Sequence, residues 1–480
     1  MTNTTRSTGT NPQDKAANLP PNLRLSPYDW ARKHLFNTWY NGLITLIVVV
    51  LGAILIFYGG RFVLFTGQWR AVRINLTQLM VGTFPRDEHT RLVAQMYIAA
   101  SAIGLVWGTV TARSQDRAQD TGTNVSRPSP LDLLRRYWAI LLLLAVILVL
   151  TRTIWPTLFT LSTIALGLGV RAVAMRLPRS ARQPCWYIAA FMAILSFQVV
   201  SGTGGNAWWW TAGLAAYIAM KSTANLETYA AWHRVVLRTI GIGLAVGVIY
   251  LAYRIAGLAG DADGVSWDRW SGLYLTLVAS GAAIILSFPL SLMLALGRRS
   301  SLPVVRWLCV AYIELFRGIP FIALLFVAKT FIDFFLNVET PLSLMTRAII
   351  AFTIFSSAYL AEVVRGGLQA VPKGQIEAGQ AVGLQPPAVM RLIVLPQALR
   401  AVIPAFVGQC ISLFKDSSLL AIISIVDFYR ARELIHSQQE FSTIAHAETL
   451  VFVAFAYWAI SYTMSRESQR VERHLGVGER

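Results

Sequence analysis

Apolar residues arrive in long blocks separated by short polar breaks, and the blocks are too long for the cores of ordinary soluble helices. A bilayer core about 30 Å thick needs about 20 apolar residues in helical form. On that rule the pattern predicts spans near 41–59, 92–110, 137–151, 154–172, 185–201, 207–220, 236–256, 271–297, 307–332, 344–364, 401–425 and 447–465. The weakest is 207–220, which is short and opens on Trp208-Trp209-Trp210; its alternative is an aromatic belt at the membrane surface. The block 401–425 is impure because it contains Lys415 and Asp416. The chain thus reads as an all-α polytopic membrane protein of about twelve spans.

Charge placement gives the orientation. With the N-terminus inside, the inner loops are 111–136, 173–184, 221–235, 298–306, 365–400 and the tail after 465, and each is basic. The outer loops 257–270 and 333–343 carry Asp261, Asp263, Asp268 and Glu339 and few basic residues. This is the positive-inside distribution, with both ends of the chain inside. Segment 60–91 resists it. It falls outside yet holds Arg61, Arg70, Arg73, Arg86 and Arg91; its amphipathic stretches predict a segment lying along the membrane surface. Residues 1–40 read as a polar inner tail, with the run at 41–59 a retained anchor rather than a cleaved signal.

Composition agrees. Of 480 residues 55% are hydrophobic and 14% charged, against about 25% charged in soluble domains. The net charge of +18 would suggest nucleic acid in a soluble protein. Here most of the excess sits in the inner loops, and no nucleic acid is implied. Cys185, Cys309 and Cys410 are far apart, in or beside apolar blocks, and read as core or lipid-facing thiols. The sequence has no G-x-x-x-x-G-K-[ST], no H-E-x-x-H, no paired-cysteine metal spacing and no G-x-S-x-G, and its six histidines are scattered. No covalent chemistry, cofactor or metal is predicted. Gly202–Gly205 reads as a turn.

One inner loop stands apart. Residues 371–397 read VPKGQIEAGQAVGLQPPAVMRLIVLPQ. Gln375 to Val382 suits a short helix with small residues at Ala378, Gly379 and Ala381. Gly383 stands where a helix end wants a left-handed residue. Pro386-Pro387 favours the first turn of a second helix, which re-enters the membrane at Leu395-Pro396. A small-residue face lets a partner approach the backbone closely, and Glu377 adds a charge that can pair across the contact.

The spacing Glu377-Ala378-Gly379, Gly383, Ile393, Leu395-Pro396 resembles the EAA motif of bacterial ABC-importer permeases. The departure is Gly379, where that family usually has Ala. Trp270 to Thr276, Glu314-Leu315-Phe316-Arg317-Gly318-Ile319-Pro320, Glu362 to Gln369, Ser412 to Leu419 and Arg473 to Gly478 resemble the polar-amino-acid branch, and Val81 to Asp87 resembles the outer loop of its M-type subunit. The resemblance is strong over about 270–480, moderate over about 30–110 and weak over 113–270, where the chain carries extra membrane segments.

The resemblance implies a type I ABC-importer transmembrane fold (a MetI-like core) at 270–466, preceded by transmembrane helices at 41–256 and followed by an inner tail at 467–480. It implies that the 371–397 loop docks on a separate ATPase, through Glu377, Ala378, Gly379, Gly383, Ile393, Leu395 and Pro396. The implied partners are a related permease subunit in a heterodimer, a cytoplasmic ABC ATPase dimer and an external substrate-binding protein. The implied substrate is an L-amino acid and the location a bacterial inner membrane. Twelve spans with both ends inside also fit an ion-gradient-driven secondary transporter, but such a protein has no use for the EAA spacing.

Ionisable groups in a span cost at least about 2.5 kcal/mol each unless paired or hydrated. Glu314, Arg317, Lys415 and Asp416 lie in or at the ends of spans and are candidates to line the translocation pathway. The alternative is pairing within each couple, Glu314 with Arg317 one turn away and Lys415 with Asp416 at a break between helices. Glu362 and Arg365 read as helix-end charges leading into the loop, and Pro320 as a kink or helix start.

Overall fold

A computed structural model describes residues 27–120, 130–151, 154–179, 182–201, 264–336, 342–441 and 446–474. The predicted spans 207–220 and 236–256 and the Gly202–Gly205 turn lie outside the described residues. The described elements are helical, apart from a single isolated bridge between Gly272 and Asp427.

The chain divides into two units, Met1–Gln68 and Trp69–Arg480. In the first, α1 (Pro27–His34) precedes α2 (Trp39–Arg61), which continues as a π-helical turn over Phe62–Thr66. None of the residues of α2 is buried. The stretch Trp39–Thr66 is 28 residues of strongly apolar helix, long enough to cross a bilayer.

The second unit begins with two short helices, α3 (Arg70–Ile74) and α4 (Leu76–Val81). Then come α5 (His89–Asp120), α6 (Pro130–Leu150), α7 (Ile154–Arg176) and α8 (Arg182–Ser201). Helix α5 packs against both α7 and α8. The C-terminal part comprises α9 (Gly272–Gly297), α10 (Pro303–Gly318), α11 (Phe321–Leu336) and α12 (Leu344–Ala370). After it come α13 (Lys373–Ala381), α14 (Pro386–Val389), α15 (Leu395–Asp416), α16 (Phe428–His436) and α17 (His446–His474).

Among the described residues, seven helical stretches have the length and apolarity to cross a membrane, or eight if one bent pair counts as a span. Two predicted spans fall short for local reasons. Helix α6 is broken at Tyr137, where φ −103° and ψ 15° leave helical space, and in α8 the apolar run is only Ile188–Ser201. The predicted span 307–332 is not straight: α10 and α11 meet at 105°. Ile319 precedes a proline and takes extended backbone (φ −89°, ψ 132°), and Pro320 has no N–H to continue the ladder.

Helices α9, α12 and α15 form the centre. The buried face of α9 offers Ala279, Ser280, Ala283, Ser287 and Ser291, and that of α12 offers Ser356, Ser357, Ala358 and Ala361. Such small side chains let helix backbones approach closely where hydrophobic contrast with lipid gives no drive.

At the end of the bundle far from the 371–397 loop, residues 70–83 form a strap across the start of α9. Ala71, Val72, Leu76 and Leu79 bury against Phe428, Ile435, Phe452 and Ala456. The amide of Thr83 donates to Ser271 Oγ at 2.6 Å, and that hydroxyl donates to the Val81 carbonyl at 3.0 Å. Gly272 sits at φ +68°, and a Cβ there would lie 2.7 Å from the Leu79 carbonyl oxygen. Gln438 Nε2 donates to both Asn75 and Gln78 at 3.0 Å, and Arg70 pairs with Glu440 at 2.9 Å. The arginine-rich segment therefore docks, from Trp69 on, against the protein's own helices. Arg91, 4% exposed, pairs with Glu88 at 2.6 Å.

Candidate functional site: the 371–397 loop and its supports

The loop folds as its backbone chemistry dictates. Helix α13 ends at Ala381, and Gly383 takes φ +82°. The Leu384 amide donates to the Gly379 carbonyl at 3.1 Å and the Gly383 amide to Gln380 at 2.9 Å. These two bonds are the Schellman closure, which satisfies carbonyls left open at a helix end. Pro386 then occupies the first turn of α14, where its missing N–H costs nothing. Between α14 and α15 the helix widens to a π-turn over Met390–Val394. Pro396 stands just beyond it, without an N–H and with a ring that crowds the carbonyl four residues back, and a wider turn relieves both.

Burial separates the EAA-spaced residues into two sets. Glu377, Ala378, Gly383 and Pro396 are exposed, while Gly379 is buried and Ile393 and Leu395 are half-buried. Gly379 is the buried residue of α13, and a Cβ on it would lie 2.8 Å from Ile393 Cδ1 and 3.1 Å from Val389 Cγ2. Val389, Val394 and Ala398 join Leu294, Ala295, Ile313, Ala361, Val364 and Leu368 in one apolar cluster, with Ile376 and Ile393 against it. The loop is thus a small exposed rim seated on a seam that reaches α9, α10, α12 and α15.

The four charged residues predicted to line a pathway lie in two places. Near the loop, Glu314 and Arg317 are both exposed on α10. Glu314 reaches Arg298 at 3.3 Å and Arg317 reaches Glu362 at 3.9 Å. At the other end of α15, Lys415 is exposed and Asp416 half-buried, just before a 3-10 turn over Ser417–Ile423. Beyond it is a cleft of about 450 Å³ lined by Ser418, Leu419, Ala421, Ile422, Tyr429, Arg430 and Glu433. Asp427 caps α16, accepting from the amides of Tyr429 and Arg430 at 3.0 Å. Burial pushes its carboxyl up to about 7 against the pull of those amides.

The reading of single residues missed Arg298 and undervalued Glu362. Arg298 stands at the end of α9 and contacts Glu362 at 2.6 Å across 64 residues of chain. The only sequence signal was a basic residue after a span and an acidic one inside another. Among the described residues no group of three His, Cys, Asp or Glu side chains could hold a metal, and the three cysteines are free thiols.

The family of binding-protein-dependent transport system inner membrane components matches residues 287–476. The chain is 41% identical over 214 residues to an inner membrane amino-acid ABC transporter permease protein, YhdY, of Escherichia coli K12, covering 45% of this chain and 58% of that one. It is 38% identical over 244 residues to the glutamate/glutamine/aspartate/asparagine transport system permease protein BztC of Rhodobacter capsulatus, covering 49% and 56%. The match thus spans little more than half the length of either relative. The glutamate/aspartate import permease protein GltK of Escherichia coli O6:H1 is 34% identical over 199 residues, 40% of this chain and 87% of that one. Among solved structures, an amino acid ABC transporter crystallised with histidines is 29% identical over 42% of this chain and 92% of that chain, with a TM-score of 0.38. On the extent and identity of the match to the last of these permeases, this chain belongs to the family of binding-protein-dependent transport system inner membrane components.

Proposed function

We propose that the chain is the membrane-spanning permease subunit of an ATP-driven importer for polar L-amino acids in a bacterial inner membrane. The observation that carries this reading is the loop: an exposed rim of Glu377, Ala378 and Gly383 on a buried Gly379–Val389–Ile393 seam continuous with the central helices. A partner that presses on the rim pushes the bundle. In this reading the partner is a cytoplasmic ATPase dimer, which supplies the hydrolysis this chain has no motif for. A related permease completes a heterodimer, and an external binding protein delivers the amino acid. The loop and both chain ends then face the cytoplasm, residues 270–466 are the transport core, and the helices of 41–256 are an addition to it. The substrate class rests on relatives named for glutamate, aspartate and their amides.

Glu314, Arg317, Lys415 and Asp416 are the residues we assign to the pathway, because an amino acid needs donors and acceptors in a hydrated space. Purification of the tagged chain from its native membrane tests the whole reading. An ATPase subunit should co-isolate, and a hydrolysis-dead version of it should abolish uptake of labelled amino acid. Uptake by the chain alone under an ion gradient points to a secondary transporter instead. Arg317→Ala and Lys415→Ala should assemble normally and lower uptake or shift its selectivity; parental behaviour in both removes them from the pathway.

A further inference from the structure

Near the loop, one carboxylate faces three guanidinium groups. Glu362 lies on α12 with its side chain 16% exposed. Its Oε1 is 2.6 Å from Arg298 Nη1, and its Oε2 is 2.7 Å from Arg365 Nη2 and 3.9 Å from Arg317 Nη1. Arg365 is one turn away on the same helix, and its close contacts, Glu362 and Gln369, are both within α12. Arg298 follows the last turn of α9, and Arg317 is in the last turn of α10. Two neighbouring contacts hold α10 to α12: Tyr359 Oη donates to the Arg317 carbonyl at 3.3 Å, and Tyr312 Oη to the Ile354 carbonyl at 3.1 Å.

The charges are unequal. Three arginines share Glu362, and the second carboxylate, Glu314, is 56% exposed and reaches Arg298 alone at 3.3 Å. Loss of one arginine leaves Glu362 paired. Loss of Glu362 leaves three partly exposed cations converging beside an apolar seam, with only Glu314, on Arg298, to offset them, and like charges repel. Next to the cluster runs the seam of Leu294, Ala295, Ile313, Ala361 and Val364, which Ile376 and Ile393 of the loop also touch.

We propose that Glu362 is a positioning residue that fixes the loop-side ends of α9, α10 and α12 as one block, so that displacement of the 371–397 loop moves all three together. The inference rests on the reading of the loop as an ATPase contact. Without Glu362 the loop still binds its partner, but its movement is no longer passed to α9 and α10. A repulsive cluster also loosens the block at rest, so the defect is loss of transmission rather than loss of docking.

The test has two arms. In the first, the purified full chain carries Glu362→Gln, Arg298→Gln or both, and thermal unfolding is followed in detergent. The double variant should unfold no lower than Glu362→Gln alone, because removing Arg298 then breaks no further contact to Glu362 and relieves one of three like charges; strictly additive shifts overturn the block. In the second, the co-isolated complex is reconstituted, and ATP hydrolysis and uptake are measured together. Glu362→Gln should keep the ATPase bound and hydrolysing at no less than half the parental rate. Its amino acid carried per ATP should fall at least about fivefold, with Glu362→Asp recovering part of it. A parental ratio in Glu362→Gln, or a proportional fall of hydrolysis and uptake, overturns the proposal. Failure of the functional reading appears elsewhere, in a parental chain whose uptake ignores the ATPase.

Discussion

Gly379 is the position where the loop departs from the family pattern, and its surroundings predict what restoring alanine does. Replacing glycine by alanine inside a helix gains about 0.5–1 kcal/mol in backbone terms. Against this, the new Cβ stands 2.8 Å from Ile393 Cδ1 and 3.1 and 3.3 Å from the two methyls of Val389. The Ile393 atom is the far end of a flexible side chain and moves at little cost. The Val389 methyls must give by a few tenths of an ångström. The two effects nearly cancel, and Gly379→Ala should change stability by less than about 1 kcal/mol. Gly379→Val places further carbons against the same two neighbours and should cost about 1–3 kcal/mol, as overpacking does. Thermal unfolding of the full chain in detergent measures both. Ile393→Val deletes the crowding methyl; alone it should cost about 0.5–1.5 kcal/mol, and with Gly379→Ala it should let the helical gain show. A Gly379→Ala variant several degrees less stable than the parent, and not relieved by Ile393→Val, refutes the reasoning and places the constraint in the backbone of α13 or in a partner.

At the strap, Ser271→Ala takes from the Thr83 amide its acceptor and from the Val81 carbonyl one of two donors, the Phe84 amide at 3.2 Å remaining, and should cost about 1 kcal/mol in the same assay. Gly272→Ala should cost more, since its φ of +68° and the Leu79 carbonyl at 2.7 Å both exclude a Cβ; wild-type stability in that variant contradicts the docked strap. The His436 and His446 rings stack with centroids 3.6 Å apart, and burial, then the neighbouring His446 and Arg432, hold the His436 imidazole below its usual range. A depressed histidine contributes stability that is full above its unfolded value near 6.5 and is lost as pH falls through the folded one. The unfolding temperature should therefore fall on acidification below about pH 6.5, and His446→Gln should flatten that fall; an unchanged slope removes the pair as its cause.

Features legible in the sequence are those decided within a few residues. The Gly383 break, the Pro386 start and the Pro320 bend each follow from one residue's backbone limits, and each stands where that chemistry puts it. The apolar runs of α9, α12 and α17 were equally plain. What could not be read depends on partners far along the chain. Ser271 meets Val81 across 190 residues and Arg298 meets Glu362 across 64. Hydropathy also hides breaks: α6 leaves helical geometry at Tyr137, where its apolar run begins after Arg135-Arg136. In segment 60–91 a count of charges also passes over pairing: Arg91 is buried on Glu88, three residues back, and Arg70 pairs with Glu440, far along the chain.

The strap also bears on how this chain can be divided. Sequence likeness concentrates after about residue 270, which invites cutting there. Yet the first turn of α9 is a socket, shaped by a left-handed glycine and a serine that serves two backbone groups of residues 81–83. A shortened chain beginning at 264 would present to water an open apolar trough, formed by Phe428, Ile435 and Phe452, where Val72 and Leu79 belong. Supplying residues 69–91 as a separate peptide should fill it. The helical unit that begins at α9 is in this sense a split object, whose missing piece is encoded nearly two hundred residues upstream.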